Sequence, residues 1–123
     1  MPITTNLYID QGADYKSGVT VQEDDGALLN LNDYTIRGQI RKFYGTSKYY
    51  NITIAPVNLT EGSFNIIIPS TITNQMSPGR WLYDIEIKHN ISNEITRIMN
   101  GAIEISGQIT LDSTEEVPVE YPA

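Results

Sequence analysis

The stretch Gly79-Arg80-Trp81-Leu82-Tyr83-Asp84-Ile85-Glu86-Ile87-Lys88 decides the fold. Trp81, Tyr83, Ile85 and Ile87 fall on one side of an extended chain, and Arg80, Asp84, Glu86 and Lys88 on the other. A two-residue period with one bulky side and one charged side belongs to a strand that has a core on one face and water on the other. Trp81 is the only tryptophan, and Pro78-Gly79 marks a turn that fixes where the strand begins.

The same alternation recurs upstream. In Thr35 to Phe43 it puts Ile36, Gly38 and Ile40 inward and Arg37, Gln39 and Arg41 outward. Glycine weakens a strand unless something bulky needs the room, so Gly38, Trp81 and Tyr83 are read as core landmarks, with Trp81 lying against the surface that Gly38 leaves free. Leu7 to Asp10, Gly18 to Gln22, Tyr50 to Ile54 and Ser63 to Ile68 are further short strands, separated by turns at Gln11 to Asp14, Glu23 to Gly26 and Asn58 to Gly62. Ser70 to Ser77 is the one helix, with Ser70 as its cap, Ile72 and Met76 on one side and Pro78 ending it. It is expected to plug one end of the core. Beyond a hairpin loop at His89 to Asn93, Glu94 to Leu111 is extended. Asn100-Gly101 interrupts it either as a hairpin turn or as a bulge where a long strand bends, and the bulge is the better reading. Many short strands predict an all-β, two-sheet antiparallel β-sandwich over residues 1–111 with one short helix between strands. Residues 112–123 form an acidic, proline-containing tail, expected to be extended.

Composition narrows the function. The chain has 123 residues, a formal charge of −7 and no cysteine. Zinc ribbons, thiol nucleophiles and disulfide scaffolds are therefore excluded. The eight basic residues are scattered along the sequence, which argues against nucleic acid. No apolar run approaches the roughly 18 residues of a membrane span, and the N-terminus shows no signal peptide, so synthesis in a cytoplasm and no membrane partner are expected.

Candidate chemistry is sparse. His89 is the only histidine, and a triad would need Ser92 or Ser106 beside it, whereas a solvated loop histidine is the plainer reading. Asp84 and Glu86 share a strand face and could serve as acid and base, but Arg37 or Arg41 on a neighbouring strand could equally pair with them. Glu23, Asp24, Asp25 and Asp33 offer oxygen ligands of the kind calcium takes, without the spacing of a calcium loop. We therefore expect no catalytic residues, no cofactor and no metal. Tyr44, Tyr49 and Tyr50 gather around one loop and could stack on sugar rings or serve a protein interface, and the interface is preferred. Val117, Val119 and Tyr121 share one side of the tail and are further interface candidates.

The landmarks also form a family pattern. Asp10-Gln11-Gly12-Ala13-Asp14-Tyr15, Val19 to Gly26, Leu31-Asn32-Asp33-Tyr34 with Arg37 and Ile40-Arg41, Gly62-Ser63-Phe64, Gly79 to Asp84 and Arg97 to Gly101 resemble small all-β structural proteins of tailed-bacteriophage particles. Similar domains open longer phage proteins, including the upper baseplate protein that holds receptor-binding proteins on some tails. The resemblance implies an immunoglobulin-like sandwich used for docking, without enzymatic residues. It implies a virion location, an adaptor role at tail, neck or baseplate, other virion proteins as partners and assembly into a homo-oligomer on a symmetric particle. A capsid decoration protein and a carbohydrate-binding host-recognition domain are the alternatives.

Overall fold

The computed structural model describes residues 3–43 and 45–107. Eight strands follow in order: β1 (Ile3–Thr4), β2 (Leu7–Asp10), β3 (Tyr15–Thr20), β4 (Tyr34–Arg41), β5 (Tyr50–Asn58), β6 (Ser63–Ile68), β7 (Gly79–His89) and β8 (Ile95–Ser106). A 3-10 turn (Leu59–Glu61) joins β5 to β6, and the helix α1 (Ser70–Thr73) lies between β6 and β7. The hydrogen-bonded order is β1-β8-β7-β4-β5-β6-β3, with β2 also on β8. β5 belongs to both halves of this path: Tyr50 to Ile52 pair with β4, and Thr53 onward with β6. The sheet thus curls over at β5 into two layers, β2-β8-β7-β4 facing β3-β6-β5. This is an all-β sandwich of the immunoglobulin type. Among the described residues no helix is long and apolar enough to cross a membrane.

The core lies where the alternation predicts. Trp81, Tyr83, Ile85 and Ile87 of β7 are all buried, and they meet Phe64, Ile66 and Ile68 of β6, Ile40, Ile52, Leu7, Ile9, Ile103 and Ile105. Burying such side chains is worth about 1.5–3 kcal/mol each before entropy is counted. β4 and β7 pair antiparallel from Tyr34↔His89 to Arg41↔Leu82, so their outward residues share one surface.

Several expectations are corrected. Gly38 does not seat Trp81: its partner in register is Ile85, and the side chains of Ile52 and Ile85 fill the space beside it. Trp81 packs instead on Tyr50, ring centroids 5.9 Å apart, and its indole N–H donates to the Ser77 carbonyl at 2.9 Å. β3 begins at Tyr15, three residues before the predicted start, because Tyr15, Ser17 and Val19 pair with Ile68, Ile66 and Phe64. β5 runs to Asn58 through Pro56, which lacks an N–H but lies where β5 has only β6 beside it. α1 is a single turn, and Ser70 does not cap it. Its N-cap is Pro69, and the Asp14 carboxylate accepts the Ser70 N–H at 2.6 Å. Thr73 and Met76 are the residues that plug the core, both fully buried. β8 passes unbroken through Asn100-Gly101, and the register shift comes earlier, with Ile98 the extra residue between Arg97↔Glu86 and Met99↔Ile85.

Two pairings depart from the antiparallel rule. β1 and β2 run parallel to β8, with Ile3↔Met99 and Leu7↔Ile103. Between them the chain at Thr5 is held from three sides. The Thr5 N–H donates to the Asn100 carbonyl at 2.9 Å, the Tyr83 hydroxyl donates to the Thr5 carbonyl, and Gly101 lies against that same carbonyl.

Candidate functional site

The outward residues of β4, β7 and β8 form one continuous surface. Arg37, Gln39 and Arg41 come from β4, Leu82, Asp84 and Glu86 from β7, and Arg97 and Asn100 from β8. They line a shallow depression of about 440 Å³, with Phe43 at its rim and Tyr83 beneath. The period of two brings them together: antiparallel register sets Arg37 opposite Glu86, which in turn is opposite Arg97. Glu86 is bonded by the Arg37 guanidinium, and Arg97 Nε lies 3.4 Å from Asp84 Oδ2. The two carboxylates that could have formed an acid–base pair each have a guanidinium partner. Asp84 takes its partner from β8, not from β4 as anticipated.

The buried Tyr83 phenol behaves as a structural donor. Burial, with a smaller contribution from Tyr15, pushes its pKa up to about 12, so it stays protonated and keeps its bond to Thr5. His89 is engaged locally. Its Nδ1 accepts the N–H groups of Ile91 at 3.3 Å and Ser92 at 3.1 Å, and its ring meets Tyr34 edge-on at 5.0 Å. The Ser92 hydroxyl lies on the backbone, accepting the Glu94 N–H at 3.3 Å. In the acidic turn, Asp25 accepts the Ala27 N–H at 2.9 Å. Among the described residues no group of three or more acidic or histidine side chains is arranged to hold a metal ion.

The tyrosine cluster divides. Strand alternation turns Tyr50 toward the core against Trp81, while Tyr49, 46% exposed, lies under the Arg41 guanidinium at 5.0 Å. The two rings do not make one stacking platform. Tyr44, Val117, Val119 and Tyr121 lie outside the described residues. What the sequence reading missed is cationic: Arg41, Lys42 and Lys48, which flank the connection between β4 and β5, come together at one end of the molecule. The interleaving of basic and aromatic residues in Arg41-Lys42-Phe43 and Lys48-Tyr49-Tyr50 was the available signal.

No protein-family model matches the sequence, and no curated protein does. Among solved structures the chain is similar to the N-terminal domain of phage TP901-1 ORF48, with a TM-score of 0.50 and 6% identity over 82% of this chain and 84% of that one. It is also similar to the extracellular fragment of novel immune-type receptor 11 from Ictalurus punctatus, with a TM-score of 0.45 and 11% identity over 94% and 95% of the two chains. InlP of Listeria monocytogenes gives a TM-score of 0.43 and 15% identity over 83% of this chain, which spans 26% of the InlP chain. At these identities the likeness is one of fold.

Proposed function

We propose that this chain is a non-enzymatic structural module of a tailed-bacteriophage virion, an adaptor that docks other virion proteins at the tail, neck or baseplate. The observation that carries the reading is its similarity, over 82% of this chain and 84% of the other, to the N-terminal domain of a phage protein. The residue pattern described above resembles phage particle proteins independently of that likeness. The exposed face of β4, β7 and β8 supports docking over chemistry. It is broad and shallow, and its carboxylates Asp84 and Glu86 are engaged with arginines. Compensated charges around a partly apolar patch that includes Leu82 and Phe43 suit a protein partner.

Mass spectrometry of purified particles, with immunogold labelling against this chain, tests the reading. The expected result is the chain in mature particles, with gold at the tail, neck or baseplate. Gold over the capsid would make it a decoration protein, and absence from mature particles would overturn the structural role.

A further inference from the structure

The cations of this acidic chain are not used alike. Arg37, Arg80 and Arg97 each face a carboxylate. Arg41, Lys42 and Lys48 have no carboxylate partner among the described residues, and each lies over an aromatic ring instead. Arg41 covers Tyr49 at 5.0 Å, Lys42 covers Trp81 at 5.1 Å, and Lys48 covers Tyr50 at 5.7 Å. All three contacts fall at one end of the sandwich, where β4 finishes, β5 starts and β7 enters. Arg41 also donates to the Thr46 carbonyl and to Gln39 Oε1, so it contributes charge to the patch. An ammonium seated on a ring, as at Lys42 and Lys48, keeps donors directed away from the ring for an anion. Phe43, 60% exposed, and Tyr49 add an apolar rim. The patch fits an acidic segment that also carries apolar side chains.

The chain contains such a segment. Residues 108–123 carry Asp112, Glu115, Glu116 and Glu120, no basic residue, and the apolar side chains of Val117, Val119 and Tyr121. β8 leaves the fold beside the patch. Ile105 is paired with Gly79, and a Cβ placed on Gly79 would lie 3.6 Å from the Lys42 ammonium. Neighbouring strands are about 4.8 Å apart, so the β8 backbone at Ile105 lies within roughly 10 Å of that ammonium, one residue before the strand ends at Ser106. Sixteen residues span at most roughly 50 Å, so the length of residues 108–123 is enough to reach the patch. Elsewhere the described surface offers Lys16 and Lys88 singly and cations already paired.

We propose that the acidic C-terminal segment, residues 112–123, folds back on its own chain and docks on the basic and aromatic patch formed by Arg41, Lys42, Lys48 and Tyr49. The contact is intramolecular and stands independently of the virion reading. It occupies the patch until a competing acidic surface displaces it.

The sequence contains no cysteine, so Val119→Cys provides a single site for a nitroxide label on the full chain. With the label oxidised, the amide NMR signals of residues 41–43 and 45–50 are expected to weaken relative to the reduced label, while those of β3 remain. Raising salt to about 1 M, where the screening length falls to about 3 Å, is expected to restore them. Lys42→Glu with Lys48→Glu is expected to restore them too, and adding Glu115→Lys and Glu116→Lys to that pair to bring the weakening back. Signals that never weaken, weaken evenly over the whole chain, or stay weak through both salt and charge reversal overturn the proposal. So does weakening that appears when a labelled chain is mixed with an isotope-enriched chain lacking the label, because the docked segment would then belong to a second copy.

Discussion

The central strand β7 has a neighbour on each side, and each neighbour presents a glycine to it. Gly38 of β4 stands opposite Ile85, and Gly101 of β8 stands opposite Tyr83. A Cβ on Gly38 would come 3.1 Å from Ile52 Cδ1, 3.2 Å from Ile85 Cγ1 and 3.1 Å from the Asp84 carbonyl. A Cβ on Gly101 would come 2.1 Å from the Thr5 carbonyl oxygen, and its φ of +155° is one that other residues rarely adopt. Gly38 mainly leaves room for side chains, which can turn aside. Gly101 leaves room for another stretch of backbone, which is held by its own hydrogen bonds and cannot. A glycine in a strand therefore says that space is needed, and only the neighbour says how firmly.

The largest expected effect tests the rigid border. Gly101→Ala should cost about 3 kcal/mol or more, because strain at φ and a backbone collision add together. Urea unfolding measures it, and a loss below about 1 kcal/mol would show that Thr5 can yield after all. Next comes the phenol that holds the same carbonyl. With its pKa raised from 10.0 to about 12 in the fold, Tyr83 contributes stability that is fully present below pH 10 and is lost as pH rises through 12. The alkaline loss should approach about 2–3 kcal/mol. Tyr83→Phe should flatten that part of the curve at the cost of about 1 kcal/mol at neutral pH. An unchanged alkaline slope in the variant would assign the loss to another group.

The softer border is tested by overfilling it. Gly38→Leu should cost about 1–3 kcal/mol through overpacking against Ile52 and Ile85. Trp81 fluorescence should stay where it is, since that ring rests on Tyr50. A cost for Gly38→Ala equal to that of Gly101→Ala would erase the distinction between the two glycines. The smallest effect is at the exposed face. The Arg37–Glu86 side chains are 51% and 26% exposed, so Arg37→Ala should change stability by less than about 1 kcal/mol. Its effect should shrink further in high salt, and a salt-independent loss would mean that Arg37 matters through packing.

The sequence was most informative where one strand has a core on one side only. Alternation in β4 and β7 identified the buried set and the outward set, and hence most of the exposed face, without any knowledge of topology. It could not reveal pairings between distant segments. The parallel docking of β1 and β2 on β8 leaves no local trace, since residues such as Leu7 and Ile103 are joined by register alone. Asn100-Gly101 read as a bulge, whereas Gly101 leaves room for the Thr5 backbone, which the local sequence does not announce. Ser70 looked like a cap because its side chain suits one, yet Asp14, distant in sequence, supplies the oxygen. The patch of Arg41, Lys42 and Lys48 was hidden for the same reason. Its aromatic partner Trp81 comes from another strand, and proximity across strands is a property of the sheet order.

The parallel seam between the first and last described strands has a mechanical meaning. β2 and β8 point the same way, so a pull that separates the start of β2 from the end of β8 drives them past each other along their length. The hydrogen bonds between Leu7–Asp10 and residues 103–106 must then share the load and fail together. The antiparallel ladder of β7 and β8, pulled apart at Gly79 and Ser106, would open one bond at a time. Resistance to such forces is set by the barrier to rupture and not by equilibrium stability. Tension along the axis of β8 therefore meets a fastening that yields in one step, and the Thr5 backbone, gripped by Asn100 and Tyr83, sits at its loaded end.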